Sequence, residues 1–443
     1  MMIFFLIISM CSKKLASIIL CGPLEVDKIT ARLAGVVVSE MGLSEFVEKM
    51  LAYFGEGSRP SVWALSEWIT IYQDELWEAQ YENGDGDDVN LPLRLSDAPD
   101  FLPTEMAPDR FLSSHWSVPS ITTLGALAHW LEIPVEHLDW FCGQMRPAEI
   151  GSKLSHYHVV KIPKKNGTSR ILEIPKSTLK QAQRYVLDGI LAHIPIHDCS
   201  HGFQRGRSIV SYVQPHVDQE VIVKFDLSDY FLTADRTRVR SLFHLAGYPP
   251  HISKYLAHLC THGFIDQNHK LGGSWKYEQA HLPQGSPSSP AIADRLLFML
   301  DVRLTGLAEK LEMNYTRYAD DMAFSSSTRL KHSKIDGLKR MVNLIADEEG
   351  WSLNDDKTRV MKRGQRQRLA GLVVNSKANV ARSEFDLLKA IIYRVRKNGL
   401  AAENRQNHPH FLEYLRGRVS FIMMVNPQRG EKLSRMLEGL DVD

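Results

Sequence analysis

Apolar positions along this chain follow different periods in different regions. Between residues 25 and 82 they recur at helical spacing. Leu43, Phe46, Val47, Met50, Leu51 and Phe54 stand at i, i+3 and i+4, and Trp63, Leu65, Trp68, Ile69, Tyr72, Leu76 and Trp77 continue a broad apolar face. That pattern predicts a packed helical unit, with a partner-docking surface as the alternative. Residues 83–110 lose the pattern and collect Asn, Gly, Asp and Pro, which predicts a linker or long loop. Helical spacing returns over 118–145, with Ser120 as a candidate cap and a second helix starting at Pro134. His158 to Pro175 reads as two strands joined by an Asn166-Gly167 hairpin turn. Val221-Ile222-Val223-Lys224-Phe225 is an apolar run that ends in Asp226 and predicts a buried strand. In Asn314 to Phe324, the acids Asp320 and Asp321 sit between two runs that favour extended backbone, so the prediction is a hairpin with two carboxylates at its tip. Helices are predicted over 236–265, from about Ser289 with Leu296, Leu300, Leu304, Leu307 and Leu311 on one face, over 335–349 and over 383–440.

Composition adds an asymmetry that the net charge of +1 conceals. Residues 1–150 carry 9 Lys/Arg against 22 Asp/Glu, and the remainder carries 44 against 30. The C-terminal two-thirds is therefore the expected polyanion binder. A hydrophobic fraction of 44% supports a sizeable core. Five scattered cysteines without a CxxC suggest neither a zinc site nor a disulfide framework, and they fit a reducing cytoplasm. The apolar residues 2–10 are too few to span a bilayer, so no membrane partner is expected.

The chemistry centres on the acids. Adjacent anions at a turn repel each other unless a cation lies between them. A divalent metal site is the functional reading of Asp320 and Asp321, and a solvated turn is the plain one. Asp226, at the end of a buried strand, can deliver a third carboxylate to the same point. Alternation along a strand favours Asp320 as its direct partner, with Asp321 assisting. Such an oxygen set suits Mg²⁺, and two ions can clamp both oxygens of an in-line phosphoryl displacement.

Taken in order and at their spacing, the strand ending in Asp226, the Pro283-Gln284-Gly285-Ser286-Pro287-Ser288-Ser289-Pro290 run and the Tyr318-Ala319-Asp320-Asp321 box resemble reverse transcriptases. The wider pattern is similar to the bacterial retron-type branch and covers roughly residues 150–440. The resemblance implies an α+β right-hand polymerase. A helical N-terminal region and acidic linker (1–110) would precede a helical lead-in and fingers (111–220), a palm with an antiparallel sheet (221–375) and a helical thumb (376–443). It implies catalysis and metal binding by Asp226, Asp320 and Asp321 with two Mg²⁺, for which Mn²⁺ could substitute. Nucleotide contacts would come from Lys165, Arg170, Gln284, Gly285 and Lys357, and Phe231 would exclude a ribose 2′-hydroxyl. Arg205, Arg207, Arg416 and Arg418 would meet nucleic-acid backbone. The implied partners are a structured non-coding RNA template, its cDNA product, dNTPs and an effector protein, with a role in anti-phage defence.

Two elements depart from the retron pattern. Tyr212-Val213-Gln214-Pro215-His216 keeps only the histidine of an Asn-Ala-x-x-His segment, and Leu369-Ala370-Gly371 stands where Val-Thr-Gly is usual. The alternatives are a defence-associated reverse transcriptase outside the retron group, an RNA-synthesising palm polymerase, against which Phe231 argues, and a catalytically idle RNA-binding scaffold.

Overall fold

The structure is a computed structural model that describes residues 113–142, 148–149, 155–163, 169–266 and 275–439, together with 106–108 and shorter stretches between 15 and 72. By compactness the chain divides into two units. The first comprises residues 1–195 and 234–292, and the second residues 196–233 and 293–443.

In the first unit, α1 (Val26–Leu33) and α2 (Leu43–Phe54) share a small core with Leu15, Ile19, Leu65, Ile69 and Tyr72. The expected apolar face is the buried one: Phe46, Val47, Met50 and Leu51 all point inward. Trp68 stacks on Tyr72 at 5.3 Å. Trp63, Trp77 and nearly all of the expected linker lie outside the described residues. The predicted lead-in helices form as α3 (Leu124–Trp130) and α4 (Val135–Cys142). Thr123, rather than Ser120, caps α3, its hydroxyl accepting from the Ala126 N–H at 3.1 Å. The basic hairpin forms from β1 (Tyr157–Pro163) and β2 (Ser169–Pro175), antiparallel throughout. Its Asn166-Gly167 turn lies outside the described residues. The helices α5 (Ser177–Tyr185), α6 (Arg236–Leu245) and α7 (Pro250–Cys260) complete the unit.

The second unit is built on a four-stranded antiparallel sheet. The strands are β3 (Val221–Asp226), β4 (Asn314–Tyr318), β5 (Asp321–Ser326) and β6 (Arg359–Lys362), in the order β4-β5-β3-β6. β3 carries the unbroken apolar run because it is paired on both edges and buried on both faces. The helices α8 (Ser289–Leu296, from Ala293 onward in this unit), α9 (Phe298–Lys310) and α10 (His332–Glu348) belong to the same unit. A short hairpin, β7 (Arg368–Leu369) and β8 (Leu372–Val373), follows. Its two turn residues both take positive φ (Ala370 44°, Gly371 88°), as a tight two-residue hairpin turn requires. The last three long helices are α11 (Arg382–Asn398), α12 (Phe411–Val425) and α13 (Pro427–Leu437). Their buried faces (Phe385, Ile392, Val419, Ile422, Leu433) share one core with Ile222 and Ala323 of the sheet. Among the described residues no helix is long and apolar enough to cross a membrane.

Candidate active site

The acids meet at one end of the β4-β5-β3 ladder. Antiparallel pairing sets Asp226, the last residue of β3, directly opposite Asp321, the first residue of β5. Residues opposed in this way place their side chains on the same face a few ångströms apart. Tyr318 pairs with Asp321, so the turn contains only Ala319 and Asp320. Ala319 takes the left-handed conformation at φ 55°, and the Asp320 carbonyl accepts the Leu227 N–H at 3.0 Å. The three carboxylates are thus gathered: Asp321 is opposite Asp226 in the backbone register, and Asp320, in the two-residue turn, has Asp226 as the largest charge acting on it.

Each ladder acid is matched to a lysine. Lys357, in a tight turn after α10, donates to Asp226 Oδ2 at 2.8 Å, and Lys224, within β3, meets Asp321 Oδ1 at 2.6 Å. The Asp226 carboxyl is buried, and this desolvation raises its pKa; Lys357 opposes the rise and the charge of Asp321 adds to it. Asp320 is raised by desolvation and then by the charges of Asp226 and Asp321. Lys357 is itself half exposed at 56%, and the Asp226 carboxylate holds its ammonium above the ordinary lysine value although desolvation works against it. In this arrangement no three acids, histidines or cysteines among the described residues are spaced around a common metal position. The donor set nonetheless fits a hard divalent cation: three carboxylates at one sheet end, two of them raised in pKa by desolvation and by like charge.

A second set of interactions holds the hairpin from behind. Arg317 is fully buried in β4. It binds Asp301 through Nε (2.9 Å to Oδ1) and Nη2 (2.6 Å to Oδ2), binds Asp294 at 2.8 Å, and donates to the Ala319 carbonyl at 3.1 Å. Burial opposes its charge, but Asp301 and Asp294 hold the guanidinium firmly ionised. Tyr315, two residues earlier and on the same face, donates to Asp301 at 2.9 Å. Asp294 also accepts from Ser200 at 2.6 Å and from Gln204 at 2.9 Å. On the opposite face of β4, His216 sits between Ser325 (2.7 Å) and Thr316 (2.8 Å), where burial lowers its pKa to about 3 and keeps it neutral. The one residue retained from the Asn-Ala-x-x-His pattern therefore ties the two hairpin strands together. Gly202 lets the 199–202 segment lie against the turn, since a Cβ there would stand 2.7 Å from the Ala319 nitrogen.

The other expected residues fall as follows. Phe231 is partly exposed in the turn after β3, its ring 4.9 Å from that of Tyr230. Arg205 is exposed. Arg207 is engaged locally, donating to the Ser200 carbonyl at 2.6 Å and pairing with Asp198 at 3.0 Å. Arg416 is exposed on α12, and Arg418 donates to the Tyr414 hydroxyl at 3.0 Å. In the first unit, Arg170 is exposed on β2 opposite Ile162. The Gln284 carbonyl accepts the Glu173 N–H at 2.7 Å. Gly285, at φ 133°, lies so close to β2 that a Cβ would stand 2.7 Å from the Glu173 carbonyl oxygen. Glu173 is itself buried and accepts from His262 at 2.5 Å and His281 at 2.8 Å. Lys165 lies outside the described residues. Lys224, Arg317 and Glu173 were not singled out by sequence reasoning. A lysine inside an apolar strand, and an arginine between β-formers one residue from the acid box, were the available signals.

Residues 162–390 match the family model for reverse transcriptase (RNA-dependent DNA polymerase), and the chain belongs to that family. Its similar relatives are retron enzymes. It is 36% identical to the Retron Mx162 reverse transcriptase of Myxococcus xanthus, over 71% of this chain and 66% of that protein. It is 35% identical to the Retron Mx65 reverse transcriptase of the same organism, over 66% of this chain and 65% of that one. The Retron Ec86 reverse transcriptase of Escherichia coli is 28% identical over 64% of this chain and 81% of its own. The matched stretch thus spans just under two-thirds of the two Myxococcus relatives.

Proposed function

We propose that this chain is an RNA-directed DNA polymerase of retron type, copying a structured non-coding RNA into cDNA in the cytoplasm as part of anti-phage defence with an effector partner. The observation that supports it most is Asp226 facing Asp321 across the ladder, with Asp320 in the intervening turn. Asp226, Asp320 and Asp321 would hold two Mg²⁺, or Mn²⁺ in their place. When bound, these ions supply charge stabilisation to the attacking and leaving oxygens of nucleotidyl transfer. Arg317 keeps the hairpin turn in place through the Ala319 carbonyl. Lys357, 2.8 Å from Asp226, is positioned to exchange that carboxylate for the leaving pyrophosphate and to give it charge or a proton. The Phe231 ring restricts the sugar to one without a 2′-hydroxyl. Lys165, Arg170, Gln284 and Gly285 serve the incoming dNTP, and Arg205, Arg207, Arg416 and Arg418 the nucleic-acid backbone. Fingers at 111–220, palm at 221–375 and thumb at 376–443 complete this reading.

The test is extension of a DNA primer on an RNA template with Mg²⁺. Wild-type protein is expected to add dNTPs and to reject NTPs. The Asp320→Asn, Asp321→Asn double variant is expected to lose at least about 10³-fold in rate, as when transition-state charge stabilisation is removed. Undiminished extension by that variant would reject the assignment. The lysines held against Asp226 and Asp321 favour one second reading, an idle RNA-binding scaffold. Tight RNA binding without incorporation in Mg²⁺ or Mn²⁺ would select it.

A further inference from the structure

The end of the sheet remote from the acids has its own chemistry. β3 runs from Val221 to Asp226, so its first residue lies about 17 Å from its last at the usual rise per residue. At the Val221 end, the outer strand β6 stops at Lys362, which pairs with Val221. A cavity of about 390 Å³ opens there, lined by Glu220, Arg329, Lys362, Arg363 and Gly364 among others. It has a rigid base. The Glu220 N–H donates to the Ser326 carbonyl at 3.0 Å, and the Arg363 N–H donates to the Glu220 carbonyl at 2.9 Å.

Its charges are unevenly neutralised. Arg363 is spent on Asp218 (2.6 Å) and Glu220 (3.2 Å). Arg329 and Lys362, both exposed, make no side-chain ion pair or hydrogen bond among the described residues. The same holds for Arg366, two residues beyond the lining Gly364. β6 has no partner on its outer edge among the described residues. The nearby acids Asp218 and Glu220 are both held by Arg363, so the cavity edge keeps an excess of positive charge from Arg329, Lys362 and Arg366.

We infer that this cavity is a second nucleic-acid site, separate from the acid end of the sheet, and that its occupant is RNA. Arg329, Lys362 and Arg366 meet phosphates, the sequence-independent interaction that dominates nucleic-acid affinity. Glu220, a carboxylate fixed by Arg363 among those cations, repels phosphate but accepts a hydrogen bond from a ribose 2′-hydroxyl, the group that distinguishes RNA from DNA. The inference rests on the proposed function and deepens it, because it assigns part of the RNA's docking to a surface that takes no part in nucleotide addition.

The experiment measures binding of a short RNA hairpin, and of a DNA hairpin of the same sequence, to the full chain across a salt series. Extension on a short primer–template is measured in parallel. The Arg329→Gln, Lys362→Gln, Arg366→Gln variant is expected to lower the salt slope of RNA binding by about two to three, roughly 0.7 to 0.9 for each phosphate that is no longer neutralised. Its extension on the short primer–template should stay at the wild-type rate. Glu220→Gln should reduce the preference for RNA over DNA by about tenfold, the value of a hydrogen bond to a charged group. If the triple variant does not fold, Arg329→Gln with Arg366→Gln, both outside the sheet ladder, should lower the slope by about one to two. An unchanged slope, or equal wild-type affinity for the two hairpins, overturns the inference. Either result leaves extension on the short primer–template as the separate test of the polymerase reading.

Discussion

Two groups of carboxylates adjoin the same hairpin, and they are neutralised in opposite ways. Asp294 and Asp301 are sealed by Arg317, itself fully buried, through a fork that leaves nothing for solvent or ligand to replace. Asp226 and Asp321 are matched by Lys357 and Lys224, single ammonium groups of which the first is more than half exposed. A guanidinium fixed by several hydrogen bonds is a permanent counter-ion. A lysine on a flexible stem is an exchangeable one. The difference separates acids that build the fold from acids available to a ligand, although both groups read alike as Asp in sequence. Glu173 is a further sealed acid, held by His262 and His281 behind the Gln284-Gly285 turn.

The largest effect should come from opening the sealed group. Arg317→Met leaves Asp294 and Asp301 buried without a cation and should cost about 3–5 kcal/mol in denaturant unfolding. Adding Asp294→Asn and Asp301→Asn should recover part of that loss. If Arg317→Met unfolds like the wild type, the distinction between sealed and exchangeable acids fails.

Lys357→Met makes the opposite prediction. Stability should fall by about 1–2 kcal/mol, less than for Arg317→Met, because only the Asp226 side of this pair is buried. Nucleotide addition should slow about 10²-fold, within the range of lost general-acid assistance. A stability loss comparable to that of Arg317→Met would make Lys357 structural.

Glu173 contributes less than Arg317. Burial alone would raise its pKa, but hydrogen bonds from His262 and His281, and their charge, hold it below the ordinary carboxylate value. Its stabilisation is therefore complete above the unfolded-state carboxylate pKa and is lost as pH falls through the lower folded value. Glu173→Gln should cost about 1–3 kcal/mol near neutral pH and flatten the acid side of the stability curve. An acid limb identical to the wild type's would show that the three side chains do not act together.

Much of this was legible from local pattern. The apolar run into Asp226 had to be a doubly paired strand, and Tyr318 through Asp321 had to be a tight hairpin, because both signals lie within a few residues. Arg317 was not legible as a structural hub, because its partners Asp294 and Asp301 sit on helices and are indistinguishable in sequence from solvated acids. The place of Asp320 in the turn was not legible for a similar reason: alternation predicts side-chain direction inside a strand, and only the ladder register shows where the strand ends. His216 read only as the remnant of an Asn-Ala-x-x-His segment, whereas the fold uses it to join Thr316 and Ser325.

The most direct test is primer extension on an RNA template by Asp226→Asn in saturating Mg²⁺, with thermal unfolding measured on the same sample. Because Asp226 stands among like charges and its cation is an exposed lysine, the variant should melt no lower than the wild type and should add dNTPs at least about 10³-fold more slowly. A variant that still extends the primer at the wild-type rate, folded and intact, would contradict the claim that this end of the sheet is where DNA is made.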